Sequence, residues 1–184
     1  MKRMFDVIFS TVGLLLAAPI ITICAIAVVL ETRGSPIFAQ KRVGRNQRLF
    51  TCYKMRTMRR ETANVATHEV SPSAVTKVGR FLRSTKLDEL PQLWNVLRGD
   101  MSVVGPRPCL PSQHDLIFER NKRGLFELRP GITGLAQVQG IDMSDPIRLA
   151  LVDEQYLREP RLANDLKLIV KTIFGRGRGD RIPR

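Results

Sequence analysis

Between Val7 and Leu30 the chain runs through VIFSTVGLLLAAPIITICAIAVVL, 24 residues without a charge. As a helix rising 1.5 Å per residue this run is about 36 Å long, enough to cross a hydrocarbon core of roughly 30 Å. A secretory leader is one reading, but its apolar part is shorter, about 7–15 residues, and a cleavage site follows it. Here Glu31-Thr32-Arg33-Gly34-Ser35-Pro36 follows, and then a basic stretch. The flanks constrain the topology. Lys2 and Arg3 precede the run, and Arg33, Lys41, Arg42, Arg45 and Arg48 come after it. Positive residues beside a membrane segment stay in the cytoplasm. A simple span would break that rule at one end, whereas a helix that enters and leaves on one side satisfies it at both. Pro19, after Ala17-Ala18, removes one helix hydrogen bond and crowds the preceding turn, so it predicts a kink. Backbone groups freed at that depth need partners, such as Ser10, Thr11 or protein packed against the bend. The favoured reading is a re-entrant helix within residues 1–30, kinked at Pro19, and a membrane-associated domain over 31–184. A single-pass anchor with a tolerated proline is the alternative.

The remaining length fits one domain rather than two. Thirty Lys and Arg against seventeen Asp and Glu leave a net charge of +13, which favours polyanionic partners: nucleic acid, anionic lipid or phosphorylated small molecules. Cys24, Cys52 and Cys109 are scattered and form no C-x-x-C pair, against a disulfide framework or a zinc site. With only His68 and His114 available, a histidine-based metal site is not expected.

Residues 37–39 and 49–53 are rich in strand formers. Residues 61–74 read as a polar loop. Val78, Phe81 and Leu82 at helical spacing predict a helix over 75–86, and a second short helix runs from Pro91 to Leu97, stopped by Gly99. Residues 101–112 read as a proline-rich loop, 114–128 as helix, and 145–158 and 163–174 as further helices, with a basic tail. The expected fold is mainly α with a small β element, its membrane helix joined by amphipathic interfacial helices.

Asp88-Glu89 opens the second short helix. Asp88 reads as its N-cap, with Pro91 in the first turn. The alternative is chemical. Two adjacent carboxylates among Arg80, Arg83, Lys86 and Arg98 can hold Mg²⁺ together with substrate phosphates, and an ionised Asp is a nucleophile toward phosphorus. Helix amides and Arg83 should keep Asp88 ionised at neutral pH. In Gly105-Pro106-Arg107-Pro108 two prolines stiffen the backbone around one guanidinium, which can grip a phosphate with two donors. Lys54, Arg56 and Arg129 are further candidates for phosphate contact. Arg129-Pro130-Gly131-Ile132-Thr133-Gly134 reads as a turn, and Asp153-x-x-Tyr156 as one face of a helix.

KVGRFLRSTKLDELPQLWNVLRGDMSVVGPRP followed by RPGITGLAQVQG, with the earlier VGRNQRLFTCYKMRTM, resembles the monotopic phosphoglycosyl transferases, the bacterial sugar transferase family. The likeness runs from Lys2-Arg3-x-Phe5-Asp6 to the helix around Asp165-Leu166-Lys167, as in the minimal catalytic form with no multi-span region ahead of it. The resemblance implies transfer of a sugar-1-phosphate from a nucleotide-diphosphate sugar, UDP-linked by general similarity, to polyprenyl (undecaprenyl) phosphate, releasing nucleoside monophosphate. This would be the first membrane step of bacterial glycoconjugate assembly, at the cytoplasmic face of the inner membrane. It implies Asp88 as the nucleophile of a covalent phosphosugar intermediate, Glu89 as a Mg²⁺ ligand, and Arg83 and Arg107 as phosphate or nucleotide contacts. Where some relatives have Ser-Pro at the kink, this chain has Ala18-Pro19.

Two rivals compete with this reading. A basic membrane scaffold or nucleic-acid binder accounts for the charge, but not for paired acids in a basic region, and 6% aromatics offer little for base stacking. Nucleic acid is therefore not an expected partner. The other rival is a hydrolase that cleaves a nucleotide sugar with water. The sugar, the pathway and any oligomeric state stay open.

Overall fold

The computed structural model describes residues 1–62, 71–158 and 161–174. Most of the predicted 61–74 loop and the whole basic tail lie outside these residues. The chain is mainly helical with two small sheets.

Helix α1, Lys2–Thr32, continues through Pro19 as one element and ends at Arg33, whose left-handed backbone (φ 52°) lets its N–H reach Val29 O. The hydroxyls expected to serve the proline do not: Thr11 Oγ1 donates to Val7 O, and Ser10 Oγ is buried without a partner among the described residues. Thr22 Oγ1 donates to Ala18 O beside Pro19.

One face of α1 packs along the rest of the protein. Phe5 and Phe9 lie against a core of Phe50, Cys52, Val96, Met101, Val103, Val104, Tyr156, Leu168 and Ile169. A Cβ on Gly13 would come within 3.2 Å of the Leu93 side chain. Cys24 and Val28 pack with Met55 and Leu82. The other face carries eleven exposed large apolar side chains from Met4 to Leu30. Full burial of such a side chain is worth roughly 1.5–3 kcal/mol. Covering that face with an apolar phase would therefore be strongly favourable. With 17% of its most apolar stretch buried, the helix is long and apolar enough to be a candidate membrane segment.

Polar contacts tie both ends of α1 to the same domain. Near the N-terminus, Lys2 Nζ reaches Asp165 Oδ2 at 2.6 Å and Tyr156 Oη at 3.0 Å. Arg3 donates to Val96 O and Leu97 O, and Asp6 accepts from Ser102 Oγ and Val103 N. At the other end the Glu31 carboxylate accepts from the amides of Lys77 and Val78.

Strands β1, Ile37–Val43, and β2, Leu49–Met55, form an antiparallel hairpin in register Ile37↔Met55 to Val43↔Leu49. Its turn places Asn46 and Gln47 at positive φ. Helix α2, Lys77–Thr85, is capped by Thr76 Oγ1, which accepts from Gly79 N. A 3-10 turn at Leu87–Glu89 leads into α3, Gln92–Arg98. Buried Asn95 of α3 ties that helix to β2, accepting from Tyr53 N and donating to Thr51 O. Strand β3, Ser102–Val104, pairs in parallel with β4, Gly131–Thr133. Between them lies α4, His114–Lys122, which stops short of the predicted end at 128 because Gly124 turns left-handed (φ +68°) into a 3-10 turn at Leu125–Glu127. Helices α5, Leu135–Val138, α6, Pro146–Arg158, and α7, Leu162–Ile173, complete the fold. The parallel pair falls in two segments read from sequence as loops: three-residue strands show no alternation to read.

α7 is amphipathic. Asp165, Leu168 and Ile169 face inward, while Leu162, Leu166, Val170 and Ile173 are exposed.

Candidate active site

Asp88 does not cap α3. The helix begins at Gln92 after Pro91, with no side-chain cap, and Asp88 lies in the preceding 3-10 turn. That turn is launched by Lys86 in the left-handed region, φ 60°, so the chain reverses between α2 and α3 with both acids at the bend. Asp88 is buried, and Glu89 is partly so.

Three cations converge on the pair from three elements. Lys54, near the end of β2, places Nζ 3.4 Å from Glu89 Oε1. Arg107, from the loop after β3, donates to the same oxygen at 2.9 Å. Arg83, on the last turn of α2, donates through Nε to Thr57 Oγ1 at 2.9 Å and acts on Asp88 through its charge. Burial and then the Glu89 charge push the Asp88 pKa up to about 6, against the pull of Lys54, Arg83 and Arg107. The expected part of helix amides in keeping Asp88 ionised is thus corrected: burial outweighs the cations, and no backbone amide of the described residues donates to Asp88. A pKa of about 6 still leaves the carboxylate as the main form at pH 7. It is a desolvated, relatively basic carboxylate, which suits a nucleophile.

Arg107 is held from behind. Buried Arg120 of α4 donates to Arg107 O at 2.7 Å and pairs with buried Asp153 of α6 at 2.7 Å. Buried Arg42 of β1 donates to Pro108 O at 3.0 Å and to the side chain of Gln40. Gly105 N donates to Thr133 O, and Gly131 N to Pro106 O. The backbones run so close that a Cβ on Gly131 would sit 2.1 Å from Gly105 N, and one on Gly105 would sit 2.5 Å from Arg129 O. The Arg-Pro-Gly-Ile-Thr-Gly segment, read as a turn, is the rail on which the Arg107 loop rests.

Two candidates are placed elsewhere. Arg56 donates to Ser35 O and lies 5.9 Å from the Phe38 ring, at the open end of the hairpin. Arg129 donates to Gly99 O, beyond the far end of α3, and burial followed by the charges of Arg3 and Arg45 lowers its pKa. Pro19 lies on α1, outside the cluster. Arg42, Thr57, Arg120 and Asp153 were missed as supporting residues. Of these, only Asp153, in the Asp-x-x-Tyr spacing, left a trace in the sequence.

No group of three or more His, Cys, Asp or Glu among the described residues could cage a metal. Mg²⁺ does not require one, since it is commonly held by one or two carboxylates with substrate phosphates and water. The adjacent carboxylates of Asp88 and Glu89, the first raised in pKa by burial and then by the Glu89 charge, fit such a partly protein-bound ion.

The family pattern described as bacterial sugar transferase matches residues 1–177. The chain is 38% identical over 187 residues to an undecaprenyl-phosphate glucose phosphotransferase of Komagataeibacter xylinus, covering 94% of this chain and 35% of that protein. It is 39% identical over 181 residues to a UDP-glucose:undecaprenyl-phosphate glucose-1-phosphate transferase of Caulobacter vibrioides, covering 94% and 68% respectively. With the exopolysaccharide production protein ExoY of Rhizobium meliloti it shares 38% over 192 residues, 94% of this chain and 83% of that one. It therefore spans about a third of the first relative and most of the other two. With the family pattern matched along almost its whole length, the chain belongs to the bacterial sugar transferases.

Proposed function

We propose that the protein transfers a sugar-1-phosphate from a nucleotide-diphosphate sugar to a polyprenyl phosphate at the cytoplasmic face of the bacterial inner membrane. The observation that carries this reading is the convergence of Lys54, Arg83 and Arg107 on the buried Asp88-Glu89 pair, in a domain joined to an apolar helix. Relatives named for undecaprenyl phosphate and UDP-glucose support the two substrate classes. Other relatives are named for galactose, so glucose and galactose are the sugars to try first.

In this mechanism an oxygen of ionised Asp88 attacks the phosphorus that bears the sugar. The bond from that phosphorus to the bridging oxygen breaks, and nucleoside monophosphate leaves with the electron pair. An oxygen of the lipid phosphate then attacks the same phosphorus, the acyl-phosphate bond breaks, and Asp88 is restored. An ionised carboxylate needs no general base for the first step. Arg107 and Arg83 grip the phosphate oxygens, and Lys54 offsets the charge that builds there. Mg²⁺ held by Glu89 and the substrate phosphates would add further charge neutralisation.

The helix α1 reading that fits best is re-entrant. Lys2, Arg3 and Asp6 at one end and Glu31 at the other bind the same domain, so a domain on one side of the bilayer keeps both ends with it. The exposed apolar stripe of α7 would lie in the interface.

The test is incubation with nucleotide sugar and Mg²⁺ in the absence of lipid, followed by intact-protein mass spectrometry. The expected result is a stoichiometric phosphosugar adduct on Asp88, lost in Asp88→Asn and formed slowly in Glu89→Gln, with ping-pong kinetics. Sequential kinetics with no adduct under any quench would demote Asp88 to a metal ligand under direct attack by the lipid phosphate.

A further inference from the structure

A second basic cavity lies apart from the Asp88 cluster, where α1 leaves its apolar stretch. Its volume is about 440 Å³, and its lining includes Glu31, Arg59, Arg60, Glu61, Lys77 and Arg80. Four cations face two acids there. One of the acids is already committed, since Glu31 caps α2 through the amides of Lys77 and Val78. An incoming anion would therefore be held by side chains and not by the helix terminus. Arg59, Arg60 and Lys77 make no side-chain hydrogen bond or ion pair with another described residue. The stem of Arg60 crosses Gly34, where a Cβ would meet its Cδ at 2.8 Å, which brings the Arg60 chain over the end of α1.

The position of the cavity narrows the choice of anion. Val29 and Leu30, the last apolar residues of α1, are 41% and 76% exposed and directly precede Glu31. On α2, Phe81 is 58% exposed immediately after Arg80. A phosphate in the cavity would thus have apolar surface beside it, at the level where a bilayer's headgroups meet its chains. A soluble anion needs no such neighbour, whereas a lipid phosphate does. Arg80 and Arg83 are three residues apart on α2 and so are neighbours on its surface. Arg83 acts on Asp88, so one turn of α2 links the cavity's Arg80 to a cation that influences the candidate nucleophile.

We infer that this cavity binds the phosphate of a membrane lipid and, building on the function proposed above, that it is where the acceptor lipid phosphate lands before reaching Asp88. Bilayer phospholipid offers the same chemistry, and the experiment separates the two sources.

The full chain and a Lys77→Glu/Arg80→Glu variant are reconstituted in phosphatidylcholine nanodiscs. Lys77→Ala and Arg80→Ala guard against misfolding of the double reversal. Three quantities are read: the KM for polyprenyl phosphate, the KM for the nucleotide sugar, and nucleoside monophosphate released without acceptor. The expected result is a rise of tenfold or more in the polyprenyl phosphate KM for the double variant and a smaller rise for each alanine variant. The other two readings should stay within about twofold. In a second arm, phosphatidylglycerol replaces part of the phosphatidylcholine. If bilayer phospholipid is the ligand, activity of the parent chain depends on phosphatidylglycerol, the variant loses that dependence, and the polyprenyl phosphate KM does not move; this keeps the lipid-phosphate site but removes the acceptor role. A change confined to the nucleotide-sugar KM, or no change in either arm, overturns the inference. Absence of acceptor-free release from the parent chain would instead refute the two-step mechanism, and the acceptor KM would still judge the cavity.

Discussion

Arg107 concentrates the argument at the scale of single residues. Its guanidinium reaches Glu89 Oε1 at 2.9 Å while its own carbonyl is held by Arg120. Truncating it removes a donor that now serves Glu89 and that the proposed mechanism assigns to the phosphate, and it leaves the loop's supports in place. Arg107→Ala should therefore lower turnover by on the order of 100-fold while the protein still folds and inserts. Arg107→Lys should recover only part of the loss, because an ammonium cannot grip with two parallel donors. Near-normal turnover of Arg107→Ala at low substrate would count against the assignment. Arg107 was legible because two flanking prolines mark a stiffened loop. Arg129, chosen on charge alone, instead bonds the Gly99 carbonyl, and nothing in its own neighbourhood of sequence distinguishes those two fates.

At the scale of elements, the Arg107 loop depends on helices distant in the chain. Arg120 on α4 and Asp153 on α6 are both buried, and their pair joins those helices behind the loop. Removing one member of a buried pair leaves the other charge unpaired, at a cost of about 3–5 kcal/mol. Asp153→Asn should lower the thermal midpoint by roughly 10 °C, at about 2–4 °C per kcal/mol for a chain of this size, and turnover should fall with it. A midpoint within about 2 °C of the parent would show the pair to be dispensable. The β3–β4 pair makes a second demand. A methyl group on Gly131 would collide with the backbone of Gly105, so Gly131→Ala should destabilise by roughly 1–3 kcal/mol, as read by denaturation midpoint. Unchanged stability would mean that the two backbones separate easily.

For the whole molecule, the question is where α1 sits relative to the membrane. Both of its ends are tied to one domain, so both should stay cytoplasmic. With the three native cysteines replaced, Lys2→Cys and Ser35→Cys should each resist a membrane-impermeant maleimide in intact cells and react once the inner membrane is opened. Labelling of position 2 from the periplasm would establish a single-pass anchor. The positive flanks lead to the same expectation, and the contacts of Lys2, Arg3, Asp6 and Glu31 would give such a topology a mechanical basis that charge counting could not.

The sequence by itself determined the apolar helix, the strand-forming stretches at 37–39 and 49–53, the positions of the main helices and the adjacency of Asp88 and Glu89. Each is written in local periodicity or in neighbouring residues, where the physics acts over a few positions of chain. Tertiary structure alone decided that Lys54, Arg83 and Arg107 meet those acids while Arg56 and Arg129 do not. It also decided that Asp88 lies in a 3-10 turn and not at a helix cap, and that burial raises its pKa to about 6. Desolvation depends on what the rest of the fold packs around a group, and a parallel pair such as β3–β4 depends on segments 27 or more residues apart. Neither leaves a local pattern to read.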